Sequence, residues 1–323
     1  MTTKMSIREQ VKARFRMYTS KRMLQYYRSG RFVSKVFLKI CFYFVLLSLA
    51  FVFLFPFISV AVNSILSPSD ILNITVNWVP TRLYWANFTV ALAELNYFQF
   101  FRNSVMVTSI ATVGHVLSAA FIGYGFARYN FPGKNIIFAM VIFTLIVPVQ
   151  VIIFPLYIQY SRMGWLNTFF PLTVPAFLGF GLRGGLFIFI YRQFYMNLPY
   201  ELEEAAKIDG CGPITTFIRI VLPISKSSIL VAAILSLVWR WNDYFEPNIY
   251  TFDATRSMLP SRLPMLFSRV LSYEIIDETS EIILNTSHMY AATLLVILPL
   301  LIIFLFLQNW FMEGVERSGL TGQ

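Results

Sequence analysis

Several apolar runs of this chain are long enough to cross a lipid bilayer, and no other feature constrains its fold as strongly. A membrane-spanning helix needs roughly 20 consecutive apolar residues. The chain is 57% hydrophobic and only 13% charged, whereas soluble domains carry about 25% charged residues. Because backbone N–H and C=O groups that face lipid must be satisfied within the chain, we expect an all-α integral membrane protein.

We predict six transmembrane helices from the apolar runs. The predicted spans are Val36 to Val62, Asn103 to Ala127, Asn135 to Tyr157, Phe170 to Tyr191, Ile224 to Tyr244 and Tyr290 to Met312. Proline and glycine are frequent in the third and fourth spans, and the backbone groups that they free need partners in protein or in a wet cavity. This composition fits helices that move or that line a substrate path. It fits static kinked helices as well.

The distribution of charge predicts the orientation. Residues 1–39 hold eleven Lys and Arg against one acid, Glu9, so this stretch accounts for the whole net charge of +10. We interpret residues 1–35 as a basic cytoplasmic segment that follows the positive-inside bias and contacts anionic membrane lipids. We expect neither nucleic-acid binding nor a cleaved signal peptide. With six spans, both termini are then cytoplasmic, and the C-terminal tail is residues 313–323.

The loops agree with this orientation. After the first span at 36–62, the sequence predicts an extracytoplasmic loop at 63–100, and then a transmembrane core at 101–312. Within the core, we expect residues 192–223 on the cytoplasmic side and residues 246–288 outside, where six acids stand against three arginines.

The residue types that carry covalent or metal chemistry are scarce. Cys41, Cys211, His115 and His288 are isolated, so neither a disulfide framework nor a metal site is indicated. No catalytic pair occurs at a suitable spacing, and no Gly-x-x-x-x-Gly-Lys-Ser/Thr phosphate loop is present. We therefore expect a chain that is not an enzyme, binds no cofactor and cannot hydrolyse ATP alone.

The loop at 192–223 predicts a short helix outside the bilayer. Pro199 suits a first helical turn, and three glutamates follow at the positive end of the helix dipole. Gly210 permits the left-handed residue that ends a helix. We expect a helix of two to three turns, with a solvated amphipathic loop as the alternative.

This loop resembles a known motif. Glu204-Ala205-Ala206, then three residues to Gly210, then nine residues to Ile220-x-Leu222-Pro223, matches the EAA loop of ABC importer permeases. Further stretches are similar to the carbohydrate-uptake permeases related to the smaller maltose permease subunit. They are residues 102–104, 123–128, 131–134, 241–245, 311–314 and 319–322.

The resemblance implies the type I ABC importer fold and a set of partners. The loop would form a coupling helix that docks into a cytoplasmic ATPase. The residues assigned to this contact are Glu204, Ala205, Ala206, Asp209, Gly210, Ile220, Leu222 and Pro223. The implied assembly holds a second homologous permease subunit, two ATPase copies that bind ATP and Mg, and an extracytoplasmic solute-binding protein that touches residues 246–288. The implied location is the cytoplasmic membrane of a bacterial-type cell.

A candidate substrate path rests on polar and aromatic residues in the spans. They are Arg183, Trp239, Arg240, Trp241, Asn242, Asp243 and Tyr244. Ionisable groups inside a membrane are costly and mark pathways or internal pairs. Arg240 and Asp243 are three residues apart on a predicted helix, so a structural ion pair is the alternative. The aromatic rings fit stacking on sugars or an interfacial belt equally well.

We therefore expect a permease subunit that imports a carbohydrate, with an oligosaccharide favoured. The same machine with glycerol-phosphate, a polyol or an acidic oligosaccharide stays open, because arginine favours carboxylate and phosphate groups. An ATP-independent secondary carrier or an intramembrane enzyme is the remote alternative. A carrier commonly shows internal repeats and intramembrane acids, and here no repeat is visible and Asp243 is the one candidate acid.

Overall fold

The computed structural model describes residues 30–73, 78–181, 183–253, 255–273 and 284–320, with backbone alone at 30–33, 272–273 and 311–320. The chain divides into two units. The first is described over residues 30–60, and the second begins at Ala61. Residues 1–29 of the predicted basic segment lie outside the described residues, as do 274–283 of the predicted outer loop and 321–323 of the predicted tail.

The described residues form helices joined by turns and loops, with no strand among them. The helices are α1 (Gly30–Asn63), α2 (Pro68–Ile71), α3 (Ala86–Leu95), α4 (Tyr97–Arg128), α5 (Lys134–Ile146), α6 (Val149–Arg162), α7 (Phe170–Phe177), α8 (Gly184–Met196), α9 (Glu201–Ile208), α10 (Pro213–Thr216), a π-helical turn (Phe217–Val221), α11 (Leu222–Ile224), α12 (Lys226–Asn242), α13 (Phe245–Tyr250), α14 (Arg262–Tyr273) and α15 (Thr286–Leu320).

Three helical stretches are long and apolar enough to cross a membrane alone, and up to five spans result if each of two bent pairs is one span. The three are Ser34–Asn63, Tyr97–Arg128 and Thr286–Trp310, and the pairs are Lys134–Ile146 with Val149–Arg162 and Pro213–Ile224 with Lys226–Asn242. The predicted fourth span does not qualify by length, because it is divided between α7 and α8.

The breaks have local causes. The predicted third span bends by 104° between α5 and α6, at Pro148, whose ring disfavours a helical conformation for Val147 before it. The predicted fourth span is interrupted by three left-handed residues, Gly179, Gly181 and Arg183. The segments are therefore helical as expected, but these two are not continuous rods.

The long helix α4 organises the second unit. It packs against α7, α8 and α12, and α12 packs in turn against α15. Its small residues allow this closeness. A Cβ on Gly123 would lie 2.7 Å from the Cβ of Tyr191 and 3.1 Å from the carbonyl oxygen of Ile188. The main apolar core lies here, around Ala120, Tyr124 and Phe187.

The N-terminal end of α4 holds the segment that follows α13. Asn103 donates hydrogen bonds from Nδ2 to the carbonyl oxygens of Thr255, at 3.2 Å, and Ser257, at 3.1 Å. The Ser104 hydroxyl accepts one from the amide of Leu259 at 2.8 Å. The Asn-Ser pair of the sequence motif therefore connects α4 to a segment about 150 residues later in the chain.

The predicted outer loops contain helices. The 63–100 region holds α2, α3 and the start of α4, and the 246–288 region holds α14 and most of α13. In α2, Ser67 and Asp70 form a capping box. Thr81 donates a 2.6 Å hydrogen bond to Asp70, and this bond is the main cause that lowers the pKa of the Asp70 carboxyl from its ordinary value.

Two neighbouring glycines of α4 provide a test of this packing. Gly123→Ala is expected to lower the free energy of unfolding by about 1–3 kcal/mol, because the added methyl overpacks the contact with α8. Gly125→Ala is the matched control, since among the described residues no atom beyond the adjacent turns of α4 lies within 4 Å of its added Cβ. Thermal denaturation of the purified protein measures both. Equal effects of the two substitutions would contradict the close α4–α8 contact.

Candidate functional site

Helix α9 buries a charged side chain and exposes apolar ones, which is the reverse of the usual pattern for a surface helix. Glu203 and Ala206 face inward and are buried, with exposed fractions of 8% and 2%. The apolar side chains Leu202 and Ile208 face outward, and Ile208 is 86% exposed. A helix on the surface of a self-contained protein buries its apolar stripe and exposes its charges. The outward face of α9 is therefore suited to contact something else.

A buried ion pair explains why an acid lies on the inner face. The Nε of Arg128, at the end of α4, is 2.6 Å from Oε1 of Glu203. The Tyr124 hydroxyl donates a hydrogen bond to Oε2 of Glu203 at 3.1 Å. Both side chains of the ion pair are at least nine-tenths buried. A buried charge is tolerated when it is paired and hydrogen-bonded in this way.

Arg128 also fixes the chain that enters α9. Its Nη2 donates a 2.7 Å hydrogen bond to the carbonyl oxygen of Leu198. Its guanidinium lies over the ring of Tyr200, 4.1 Å from the centroid. One arginine at the end of α4 therefore holds the approach to α9 and its first turn together.

The C-terminal end of α9 forms a Schellman motif. The amide of Cys211 donates to the carbonyl oxygen of Ala206 at 2.9 Å, and the amide of Gly210 donates to that of Lys207 at 3.0 Å. Gly210 has φ +79°, the left-handed conformation that this motif requires. The predicted short helix and its glycine terminator are confirmed.

The predicted coupling residues divide between two segments. Glu204, Ala205, Ala206, Asp209 and Gly210 lie on α9 and its cap, and of these only Ala206 is buried. Ile220 lies in the π-helical turn, and Leu222 and Pro223 open α11. α10 contacts α9, and the chain bends by 78° before α12.

Phe217 connects the two segments through α4. Its ring centroid is 5.0 Å from that of Tyr124, the same tyrosine that binds Glu203. The ion pair and the π-helical turn therefore meet at one aromatic side chain of α4.

Part of the predicted substrate path is an internal ion-pair cluster. Nη1 of Arg240 is 2.9 Å from Asp243 and 2.7 Å from Glu246, and the Arg240 side chain is 2% exposed. Oδ1 of Asp243 also accepts hydrogen bonds from the amides of Phe245 and Glu246. This geometry supports the structural alternative for Arg240 and Asp243, and a role for them in the path stays a prediction.

The neighbouring residues differ in exposure. Trp241 is buried and donates its Nε1–H to the carbonyl oxygen of Val296 at 3.1 Å. Asn242 and Tyr244 are exposed, and Asn242 donates a hydrogen bond to the carbonyl oxygen of Val238. Of the three, Asn242 and Tyr244 are accessible from outside the chain.

Arg183 and Trp239 contact each other directly. The Arg183 guanidinium lies 4.4 Å from the ring centroid of Trp239, and Trp239 contacts Phe187 with centroids 5.8 Å apart. Arg183 itself is exposed. The two predicted path residues that meet here come from α12 and from the turn before α8.

Sequence reasoning missed the groups that hold the site in place. The sequence places Glu203 among the acids at the positive end of the helix dipole and Arg128 only in a stretch similar to the permease family. Glu246 was not assigned, although it completes the Arg240 cluster. The available signal was the spacing of Glu203 and Ala206, which are three residues apart and so share a helix face.

Comparison with known families decides the class. The family described as "Binding-protein-dependent transport system inner membrane component" matches residues 116–317. The chain belongs to this family. The match includes α9, its Schellman motif, the π-helical turn and the Arg240 cluster, so the resemblance to importer permeases predicted from the motif is confirmed.

Curated relatives of this family extend over most of the chain. The arabinooligosaccharides transport system permease protein AraQ of Halalkalibacterium halodurans is 28% identical over 85% of this chain and 93% of its own length. The sn-glycerol-3-phosphate transport system permease protein UgpE of Pectobacterium atrosepticum is 31% identical over 67% of this chain and 72% of its own.

A solved structure shows the same fold. A chain from a bacterial ABC transporter involved in the import of the acidic polysaccharide alginate superposes with a TM-score of 0.72 at 18% identity, covering 86% of this chain and 98% of that one. The predicted all-helical importer permease fold is confirmed. The chain is thus a multi-pass membrane component of a binding-protein-dependent transport system, a family that works with an ATPase and a solute-binding protein.

The buried ion pair predicts unequal effects of two glutamate substitutions on α9. Glu203→Gln is expected to lower the free energy of unfolding by about 3–5 kcal/mol, because the buried Arg128 loses its counter-charge. Glu201→Gln, on the exposed face of the same helix, is expected to change it by less than about 0.5 kcal/mol.

Thermal denaturation measures the loss of stability, and hydrogen exchange of the α9 amides shows whether the helix loosens. The double variant Arg128→Met with Glu203→Met should recover part of the loss, since it leaves no charge buried alone. Equal stability of the two glutamine variants would contradict the anchoring role of Glu203.

Proposed function

We propose that this chain is one transmembrane subunit of an ATP-driven importer and that α9 is its coupling helix. The observation that carries the proposal is the inverted helix, which holds an acid inward through Arg128 and presents apolar side chains outward. An exposed Ile208 is expensive to keep in water and gains by entering a cleft of a partner protein.

The outward face of α9 has the chemistry of a docking surface. Leu202, Ala205 and Ile208 recur at intervals of three residues, and Glu204 and Asp209 lie beside them, all exposed. An apolar strip with acidic edges fits a hydrophobic cleft with basic edges. We assign this contact to a cytoplasmic ATPase subunit. Ile220, Leu222 and Pro223, in the segment that follows α9, would hold the helix in position for this contact.

The assembly we infer contains four protein chains around the membrane and one soluble protein. This chain pairs with a second homologous permease, and two ATPase copies bind ATP and Mg on the cytoplasmic side. An extracytoplasmic binding protein contacts the 246–288 region, part of which is α14. Both termini then lie in the cytoplasm, and ATP is hydrolysed by the partner subunits and not by this chain.

The ion pair between Arg128 and Glu203 supplies a mechanism for alternating access. Closure of the ATPase dimer moves α9, and the Arg128–Glu203 pair passes that movement to α4. Because α4 packs against α7, α8 and α12, these helices move with it as one body. The cavity between the two permease subunits then opens outward and accepts cargo from the binding protein, with no covalent step on this chain.

The cargo we propose is a carbohydrate, with an oligosaccharide favoured. Relatives are named for transport of arabinooligosaccharides and of sn-glycerol 3-phosphate. Glycerol-phosphate, a polyol or an acidic oligosaccharide is the second candidate, and the exposed cation Arg183 favours an anionic member of this group.

The coupling role can be tested at Gly210, where the backbone conformation determines which substitutions are tolerated. Gly210 has φ +79° and open space around an added Cβ, so Gly210→Val is penalised by backbone conformation alone. Gly210→Asn is better tolerated, because asparagine adopts this conformation several-fold more readily than most residues. We expect Gly210→Val to lose most of the ATPase that co-purifies from the native membrane, and Gly210→Asn to retain most of it.

Gly212→Ala is the matched control, since this glycine has φ −73° and equal open space around its Cβ. Mass spectrometry of the co-purified proteins identifies the ATPase and the second permease. A chain that purifies without any ATPase, or that keeps it in every variant, would contradict the proposed coupling role of α9.

A further inference from the structure

Arg183 is an exposed cation in the middle of the predicted fourth span. No carboxylate of the described residues forms an ion pair with it, whereas Arg128 and Arg240 are paired and buried. A charge at membrane depth is costly and faces protein or a water-filled path. Of the two arginines in the predicted path, Arg183 is the one whose charge is not balanced by a described carboxylate.

The backbone holds Arg183 in a defined position. Its φ is +60°, an uncommon conformation for a residue with a Cβ. Gly184 follows it, and a Cβ there would lie 2.7 Å from the carbonyl oxygen of Gly179. A Cβ on Gly185 would lie 2.6 Å from Oγ1 of Thr144. The turn is therefore tightly packed, with Gly185 against α5 and Gly184 against the backbone of Gly179. Helix α8 begins immediately after Arg183, so the positive end of its dipole lies at this turn.

The side chain of Arg183 is positioned by an aromatic chain of contacts. Trp239 lies under the guanidinium, and Phe187 contacts both Trp239 and His115, with centroids 5.8 and 5.0 Å apart. One face of Trp239 is thus occupied by the cation. Trp239 orients Arg183 through a cation–π contact, and the N–H donors at the guanidinium edge stay available for a ligand.

His115 adds an independent sign of a ligand site. It is 1% exposed, and its Nδ1 is 2.9 Å from the Ser236 hydroxyl. Its Nε2 has no hydrogen-bond partner among the described residues, and it lies 3.5 Å from where a Cβ on Gly181 would be. A buried polar atom without a partner usually marks a missing ligand or water, and this one lies beside Gly181, two residues before Arg183 in the same turn.

We propose that Arg183, with Trp239 and His115, forms a subsite for a carboxylate or phosphate group on the cargo. The guanidinium fork matches either anion in a bidentate geometry, and the His115 Nε2 edge offers a further polar contact from the inner side of the turn. This inference deepens the proposed function and rests on it. It makes the cargo an acidic sugar or a sugar phosphate.

The subsite can be tested by equilibrium binding to the complete complex. We would purify it with its partner subunits from the native membrane, place it in lipid nanodiscs without the binding protein, and dialyse it against radiolabelled probes. The probes are trigalacturonate, glycerol 3-phosphate and the neutral maltotriose. The variants are Arg183→Gln, Arg183→Lys and, as control, Arg162→Gln, whose arginine is exposed at the end of α6.

At least one anionic probe should bind the unaltered complex, and Arg183→Gln should weaken that binding about ten-fold, equal to about 1.4 kcal/mol. Arg183→Lys should retain part of the affinity, and Arg162→Gln all of it. Maltotriose binding should not change in any variant. Preference for trigalacturonate identifies a carboxylate cargo, and preference for glycerol 3-phosphate identifies a phosphate cargo.

Three binding results would each overturn the subsite. They are failure of both anionic probes to bind, equal binding to the complex with Arg183→Gln, and an equal loss for maltotriose. Dissociation of the second permease in Arg183→Gln and Arg183→Lys would instead show that Arg183 pairs with a partner carboxylate, which also overturns it. ATP hydrolysis by the same preparation, and its loss in Gly210→Val, tests the importer function separately.

Discussion

The contact between Arg128 and Glu203 is the interaction on which the account of this protein depends. It joins a short helix with an outward apolar face to the long helix that organises the core. Without the arginine, Glu203 would be an uncompensated buried charge, and α9 would gain by rotating its apolar side chains inward. The ion pair therefore fixes which face of α9 is offered to a partner, at the cost of desolvating two charges.

The long helix α4 also makes polar contacts at its N-terminal end, and these are uncharged hydrogen bonds. Asn103 and Ser104 bind three backbone groups of residues 255–259, and Arg128 binds α9 some 25 residues later. A helix of 32 residues is about 48 Å long at 1.5 Å per residue. One rigid element thus connects the segment predicted to meet the binding protein with the helix proposed to meet the ATPase.

The fourth predicted span shows how the fold departs from a simple bundle. Its glycines release the backbone into three left-handed residues, and the resulting turn places Arg183 against α12 rather than in a continuous helix. The glycine and proline content of this span indicated that its helix could break. The hydrophobic periodicity of the sequence does not show at which residue the break falls. The bend at Pro148 follows from steric exclusion at the residue before a proline, so it was the more predictable of the two.

Much of the class and of the coupling loop could be predicted, because apolar length, charge bias and motif spacing are local properties. The ends of α9 followed from Pro199 and Gly210, which act within a few residues. The partners of Glu203, Arg240 and Asn103 could not be predicted in this way. Each lies on another element or depends on the rotation of a helix about its axis, and only tertiary packing sets those distances.

The most direct test is the distance between α9 and the end of α4 during the transport cycle. Spin labels at Lys207→Cys and Asn130→Cys, both exposed sites, in a chain with Cys41→Ser and Cys211→Ser, would be measured by pulsed electron paramagnetic resonance in the full complex. If the ion pair makes α9 and α4 one body, the distance distribution will be the same without nucleotide and with ATP trapped on the partner. A distance that changes between the two states would contradict the account.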